Sequence, residues 1–144
     1  MSQAVTIVMV EDDEGHARLI EKNIRRAGIS NEVKHFVDGT SAVEFLFRAK
    51  DGPMFGHPSL VLLDLNLPDM SGTDILARIK SDAEIKRIPV VVLTTTDDKI
   101  EIQRCYDLGC NVYITKPVNY ESFATAIRQL GLFLSVIQVP EPDA

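Results

Sequence analysis

Five times along this chain, a short run of β-branched and other apolar residues is followed by a helix-length amphipathic segment. That alternation leaves few folds open, because strands separated by helices pair in parallel and take helices on their faces. The strand runs are 5–10, 32–37, 60–64, 89–94 and 111–115. Four of them carry little charge inside, as strands covered on both faces do. The exception, Glu-Val-Lys-His-Phe-Val at 32–37, is mixed in polarity and suits a sheet edge. Pro89 opens its strand, where a missing N–H costs least.

Between the strands, 13–27 puts Ala17, Ile20, Ile24 and Ala27 on one helical face, and Gly28 stops it. The segment 40–50 repeats the pattern with Ala42, Leu46 and Ala49, flanked by Val43 and Phe47. The Gly- and Pro-rich stretch 51–58 reads as a loop. Segment 71–81 groups Ile75, Leu76 and Ile79, whereas 97–108 is the least amphipathic of the helices. A last helix from about Asn119 carries Phe123, Ala126, Ile127 and Leu130 on one stripe. The sequence predicts one α/β domain spanning 1–144, with its core at about 5–130, built on a doubly wound five-stranded parallel sheet.

Bulk properties then remove whole classes of function. With 144 residues there is no room for a second large module, and 45% hydrophobic against 25% charged residues describes an ordinary core-forming chain. A formal charge of -6 weighs against a nucleic-acid surface, which needs clustered Lys and Arg. No apolar run approaches the roughly 18 residues of a membrane span. The start, Met-Ser-Gln-Ala, lacks a signal peptide's basic-then-apolar order. Cys105 and Cys110 lack the spacing of a zinc site and read as reduced cytoplasmic thiols. His16, His35 and His57 fall on a helix, an edge strand and a loop, without metal-ligand spacing.

In open α/β sheets, ligands gather beyond the carboxyl ends of the strands. Here the first strand ends in Glu11-Asp12-Asp13, the third in Asp64-Leu65-Asn66, the fourth in Thr94-Thr95-Thr96 and the fifth in Lys116-Pro117. Acid, acid, hydroxyl and amine thus share one edge. Converging carboxylates repel one another and call for a cation; hard oxygen ligands favour Mg²⁺, with Mn²⁺ as the alternative. Asp64 is a carboxylate nucleophile able to form an acyl-phosphate. Phosphoryl transfer asks mainly for alignment and charge neutralisation, which a metal and Lys116 supply. Thr94 can donate a hydrogen bond to the arriving group. Each residue alone has a plainer reading: helix capping for Glu11, Asp12 and Asp13, a strand position for Thr94 and Tyr113, an exposed amine for Lys116. Their convergence argues against it.

Glu11-Asp12, Asp64, Thr94 and Lys116-Pro117, with Tyr113 three residues before the lysine, resemble the signature of the response-regulator receiver family over about Val5 to Leu130. The resemblance implies a flavodoxin-like (βα)5 fold with strand order 2-1-3-4-5. It also implies phosphorylation of Asp64 by a histidine kinase, metal binding by Glu11, Asp12, Asp64 and the carbonyl of Asn66, and contact of Lys116 with the phosphoryl group. It favours Asp12 as the direct metal ligand, although three consecutive acids leave the register open by one residue. The Lys116–Pro117 bond would be cis. Thr94 would move toward the phosphoryl oxygen, and Tyr113 would turn inward after it.

Stretches 62–68 and 87–95 further resemble single-domain receivers paired with bacterial phytochrome kinases, and onward transfer to a histidine phosphotransfer protein is equally compatible. The apolar run 130–139 exceeds what one inward face needs, which suggests a homodimer. The sequence is expected to carry no output domain. An aspartate-based phosphatase of the haloacid-dehalogenase type would need an acid two residues after the nucleophile, where Asn66 stands. A flavodoxin-type cofactor binder would need a Ser/Thr/Gly phosphate loop where Glu11-Asp12-Asp13-Glu14 stands. An inert module derived from a receiver is disfavoured because no site position is degraded.

Overall fold

Each predicted strand is present to within one residue in the computed structural model, which describes residues 5–48, 59–116 and 119–134, with side chains in the last helix described to Gln129. The strands are β1 (Thr6–Val10), β2 (Val33–Phe36), β3 (Ser59–Leu63), β4 (Val90–Thr94) and β5 (Val112–Thr115). The helices are α1 (Glu14–Arg26), α2 (Gly39–Arg48), α3 (Gly72–Ser81), α4 (Lys99–Leu108) and α5 (Tyr120–Leu134). All strand pairs are parallel, in the order β2-β1-β3-β4-β5, as expected. The loop assigned to 51–58, the Lys116–Pro117 bond and the stretch beyond 134 lie outside the described residues.

The sheet is apolar on both faces, and its period of two divides the core. Val8, Val10, Val61, Leu63, Val90 and Val92 pack with Ala42, Leu46, Ile75, Leu76, Ile79 and Cys105 from α2, α3 and α4. Ile7, Met9, Leu60, Leu62, Val91 and Leu93 face Ala17, Ile20, Ile24, Phe123 and Ile127 from α1 and α5. At ~1.5–3 kcal/mol for each large side chain fully buried, this two-sided core outweighs any surface contact. The edge strands β2 and β5 are only half-buried, which accounts for the mixed polarity of residues 32–37.

Local chemistry sets the helix ends. Asp13 caps α1 by accepting from the His16 N–H at 2.9 Å, and Gly28 follows at φ 86 in the left-handed region open to glycine. Ser71 and Asp98 cap α3 and α4, accepting from the Thr73 and Ile100 N–H groups. The Asn119 side chain accepts from the Ser122 N–H at the start of α5. In α5 the inward residues are Phe123, Ala124 and Ile127, while Ala126 is half-buried. Among the described residues, no helix is long and apolar enough to cross a membrane.

Candidate functional site

Ladder hydrogen bonds run one residue past the strand ends and fix the residues that matter. The Glu11 N–H donates to the Phe36 carbonyl at 2.9 Å, that of Asp64 to Val10 at 3.0 Å, and that of Lys116 to Thr94 at 2.7 Å. These residues are therefore extensions of the sheet, and their side chains inherit its rigidity.

The side chains meet. Lys116 Nζ donates to Glu11 Oε1 at 2.5 Å and to Asp64 Oδ2 at 3.1 Å. All three are buried, the lysine side chain being 7% exposed. The remaining oxygens are also engaged: Glu11 Oε2 accepts from the Asp13 N–H at 3.2 Å, and Asp64 Oδ1 from the Asn66 N–H at 3.0 Å. Burial pushes the Glu11 carboxyl above its ordinary pKa, against the opposing hydrogen bond from Lys116. Asp12 is exposed. Glu11, Asp12 and Asp64 each offer an oxygen within 4.8 Å of the others. Three carboxylates facing one ammonium leave negative charge that a divalent cation would offset, and the donor set is all oxygen.

Asn66 links this centre to the next strand, its amide Nδ2 donating to Thr94 Oγ1 at 3.3 Å. Thr94 is fully buried. Tyr113 does not touch the carboxylates; its hydroxyl donates to the Thr96 carbonyl at 2.7 Å. Burial, reinforced by nearby Cys105 and Glu101, pushes its phenol up to about 12. Of the residues singled out from the sequence, Glu11, Asp12, Asp64, Asn66, Thr94 and Lys116 thus gather at one edge. Tyr113, on β5, reaches Thr96, two residues past Thr94, and Pro117 falls outside the described residues.

Several residues around the site escaped the sequence reading. His16 Nδ1 lies 3.2 Å from Lys116 Nζ and 3.8 Å from Glu11 Oε2; its position three residues after the Asp13 cap, above a strand end, was the available signal. His35 Nε2 donates to the Glu11 carbonyl at 2.7 Å from the edge strand. Gly72 is needed for close approach. A Cβ there would run into the Asp64 carbonyl oxygen and stand 2.6 Å from Leu65 Cα, both immovable backbone. Its N–H donates to the Leu65 carbonyl at 3.0 Å. Asp69 accepts from the Gly39 and Thr40 N–H groups, each at 2.8 Å, and from the Thr40 hydroxyl, tying the loop after Asp64 to α2.

Comparison with known proteins agrees with this geometry. The family model of the response regulator receiver domain matches residues 7–128. Response regulator Rcp1 of Synechocystis is 35% identical over 135 residues, 93% of this chain and 92% of that protein. Its Mn(2+)-bound crystal form superposes with a TM-score of 0.73 over 94% of this chain and 99% of that one, at 34% identity. A response regulator receiver domain from Rhodospirillum rubrum is 70% identical, with a TM-score of 0.77 over 95% of this chain and 98% of that one. The phosphorylated cyanobacterial phytochrome response regulator RcpA is 38% identical, with a TM-score of 0.74 over 96% and 99%. With its sheet order, its strand-end residues and the match over most of its length in accord, the chain belongs to the response-regulator receiver family.

Proposed function

We propose that this receiver is the phosphoacceptor of a two-component system, taking a phosphoryl group on Asp64 from a histidine kinase. The observation that carries this reading is the state of Asp64: a buried carboxylate bonded to Lys116 at 3.1 Å and grouped with Glu11 and Asp12. An Asp64 oxygen forms the new P–O bond as the P–N bond to the donor's imidazole breaks, and the electron pair stays on that nitrogen. Lys116 neutralises charge on the transferred oxygens, and the Thr94 hydroxyl donates to one of them. The Asn66 amide cannot act as a general acid or base, which disfavours steady phosphatase turnover.

Mg²⁺, or Mn²⁺ in its place, would be held by Asp12, Asp64 and the Asn66 carbonyl, with Glu11 acting through water. Both Glu11 oxygens are already engaged within the protein, whereas Asp12 is exposed; this favours Asp12 as the direct ligand. The metal supplies charge neutralisation for phosphoryl transfer. The Mn(2+)-bound state of the relative Rcp1 supports such a site.

The signal leaves by a change of surface. Thr94 turns to the phosphoryl group and Tyr113 gives up Thr96 to turn inward, a charge event biasing a two-state element. The phytochrome association of the relative RcpA supports a light-sensing kinase as donor. A histidine phosphotransfer protein as onward acceptor, a homodimer through the C-terminal helix and tail, and a cytoplasmic location complete the reading. The two free, buried cysteines are compatible with that location.

The test is a mass measurement after incubation with a small phosphodonor and Mg²⁺. The expected result is one added phosphoryl group, absent in Asp64→Asn and lost with a chelator. An equal gain in Asp64→Asn would overturn the assignment.

A further inference from the structure

The Lys116 ammonium has three protons, and three acceptors stand within reach. Two are the buried carboxylates, Glu11 at 2.5 Å and Asp64 at 3.1 Å; the third is Nδ1 of His16 at 3.2 Å. An ammonium only donates, so Nδ1 is the lone-pair nitrogen and the ring proton sits on Nε2. The three acceptors are unequal. Glu11 and Asp64 are enclosed, whereas the His16 side chain is 48% exposed. It hangs from a fixed support, because its own N–H bonds to Asp13 at 2.9 Å and starts α1.

If Asp64 is the acceptor proposed above, an arriving phosphoryl oxygen requires a proton from Lys116. While Asp64 is still a carboxylate, taking it from Glu11 or Asp64 would leave a buried carboxylate short of a partner. Taking it from His16 releases a neutral imidazole that water can satisfy. The buried carboxylates already hold Nζ in place, so the imidazole is not needed to aim it.

We infer that His16 restrains Lys116 in the unphosphorylated protein: it holds the third Lys116 proton and yields it to the phosphoryl group. The contact has to break before the lysine engages, so it slows phosphoryl gain. Once phosphorylated, the protein no longer uses it, and phosphoryl loss is indifferent to residue 16.

The experiment compares the native full chain with His16→Leu and His16→Asn. Asparagine places an acceptor oxygen about where Nδ1 stands; leucine does not. Each is incubated with phosphoramidate and Mg²⁺, and gain and then loss are followed by intact mass. Gain in His16→Leu is expected to be about threefold to tenfold faster, the worth of one modest hydrogen bond. His16→Asn is expected within about twofold of native by the same measure, with one rate of loss common to all three. An unchanged or slower gain in His16→Leu, or His16→Asn behaving like leucine, overturns the inference. Loss altered in step with gain does so too, since the ring would then act by shielding. These outcomes in a native protein that does gain phosphate remove only this inference, while no gain at all removes the Asp64 reading and this inference with it. Nitrogen NMR of the native imidazole is a check independent of rates: a proton on Nδ1 overturns the assignment.

Discussion

Two loops leave the same edge of the sheet, from β3 to α3 and from β4 to α4, and they are fastened very differently. The first carries Asp64 and is tied at three points. Asn66 pairs with Ser71, the Gly72 N–H reaches Leu65, and Asp69 grips the start of α2. The helix it enters buries Gly72, Thr73, Ile75, Leu76 and Ile79. The second carries Thr94 to Asp98 and enters a helix in which Cys105 alone is buried and Ile100 is 79% exposed. Its main long-range fastening is the Tyr113 hydroxyl on Thr96, beside a 3.5 Å contact of the Thr96 N–H with Thr94 Oγ1. On the proposed reading the reactive aspartate stands on the fixed loop, and the hydroxyl that responds to it stands at the root of the loose one. Local stability is low where few apolar contacts hold a segment, and switching elements are drawn from such regions.

The sharpest way to break this contrast is to spoil the close approach at Gly72. Gly72→Val forces a branched side chain against the backbone of Asp64 and Leu65, and should destabilise the protein by about 2–4 kcal/mol. Ile100→Ser on α4 is the matched control, expected within about 0.5 kcal/mol of native because the side chain is mostly in water. Urea midpoints for the two variants measure the difference directly. Equal effects would mean that the two loops are not fastened unequally.

A smaller effect is expected at Asp69, whose carboxylate is exposed but accepts three hydrogen bonds. The Thr40 hydroxyl and the Gly39 and Thr40 N–H groups hold its pKa down at about 2, from 3.8. A depressed carboxyl contributes stability that is present above the unfolded value and lost as pH falls through the folded one. The urea midpoint of Asp69→Ala should therefore lie below native at neutral pH. The gap should close as pH falls from 3.8 toward about 2. A gap independent of pH over that window would show that the charge on Asp69 is not what ties the loop.

The tight loop was the harder one to read from the sequence. The strands were legible because apolar runs bounded by Gly, Pro and polar residues have few alternatives, and their ends placed Glu11, Asp64, Thr94 and Lys116 on one edge. Gly72 and Asp69 were not. A glycine next to a helix cap reads as an ordinary turn residue until the backbone that presses on it is known. Asp69 acts on Gly39 and Thr40, thirty and twenty-nine residues away, and no local pattern encodes that distance. His16 has no metal-ligand spacing to mark it, and its partner is an ammonium a hundred residues on. The weak amphipathicity of residues 97–108, by contrast, is matched by a helix in which Cys105 alone is buried.

The smallest effect should come from Tyr113→Phe, and it tests whether one hydroxyl fastens the loose loop. Removing it takes away a single partly buried hydrogen bond, worth about 0.5–1.5 kcal/mol at neutral pH. The phenol is pushed up from 10.0 to about 12, chiefly by burial. A raised pKa means that stability is fully present below the unfolded value and is lost as pH rises through the folded one. Native protein should thus lose part of its advantage between pH 10.0 and about 12, while Tyr113→Phe, lacking the group, should not. Tyr106 and Tyr120 are common to both proteins, so the difference isolates position 113. Hydrogen exchange supplies the spatial half of the test. In Tyr113→Phe the amides of residues 96–100 should exchange faster, while those of 66–72 keep their native rates. Faster exchange in both loops would mean that the hydroxyl braces the whole edge of the sheet, and the division into a fixed and a loose loop would fail.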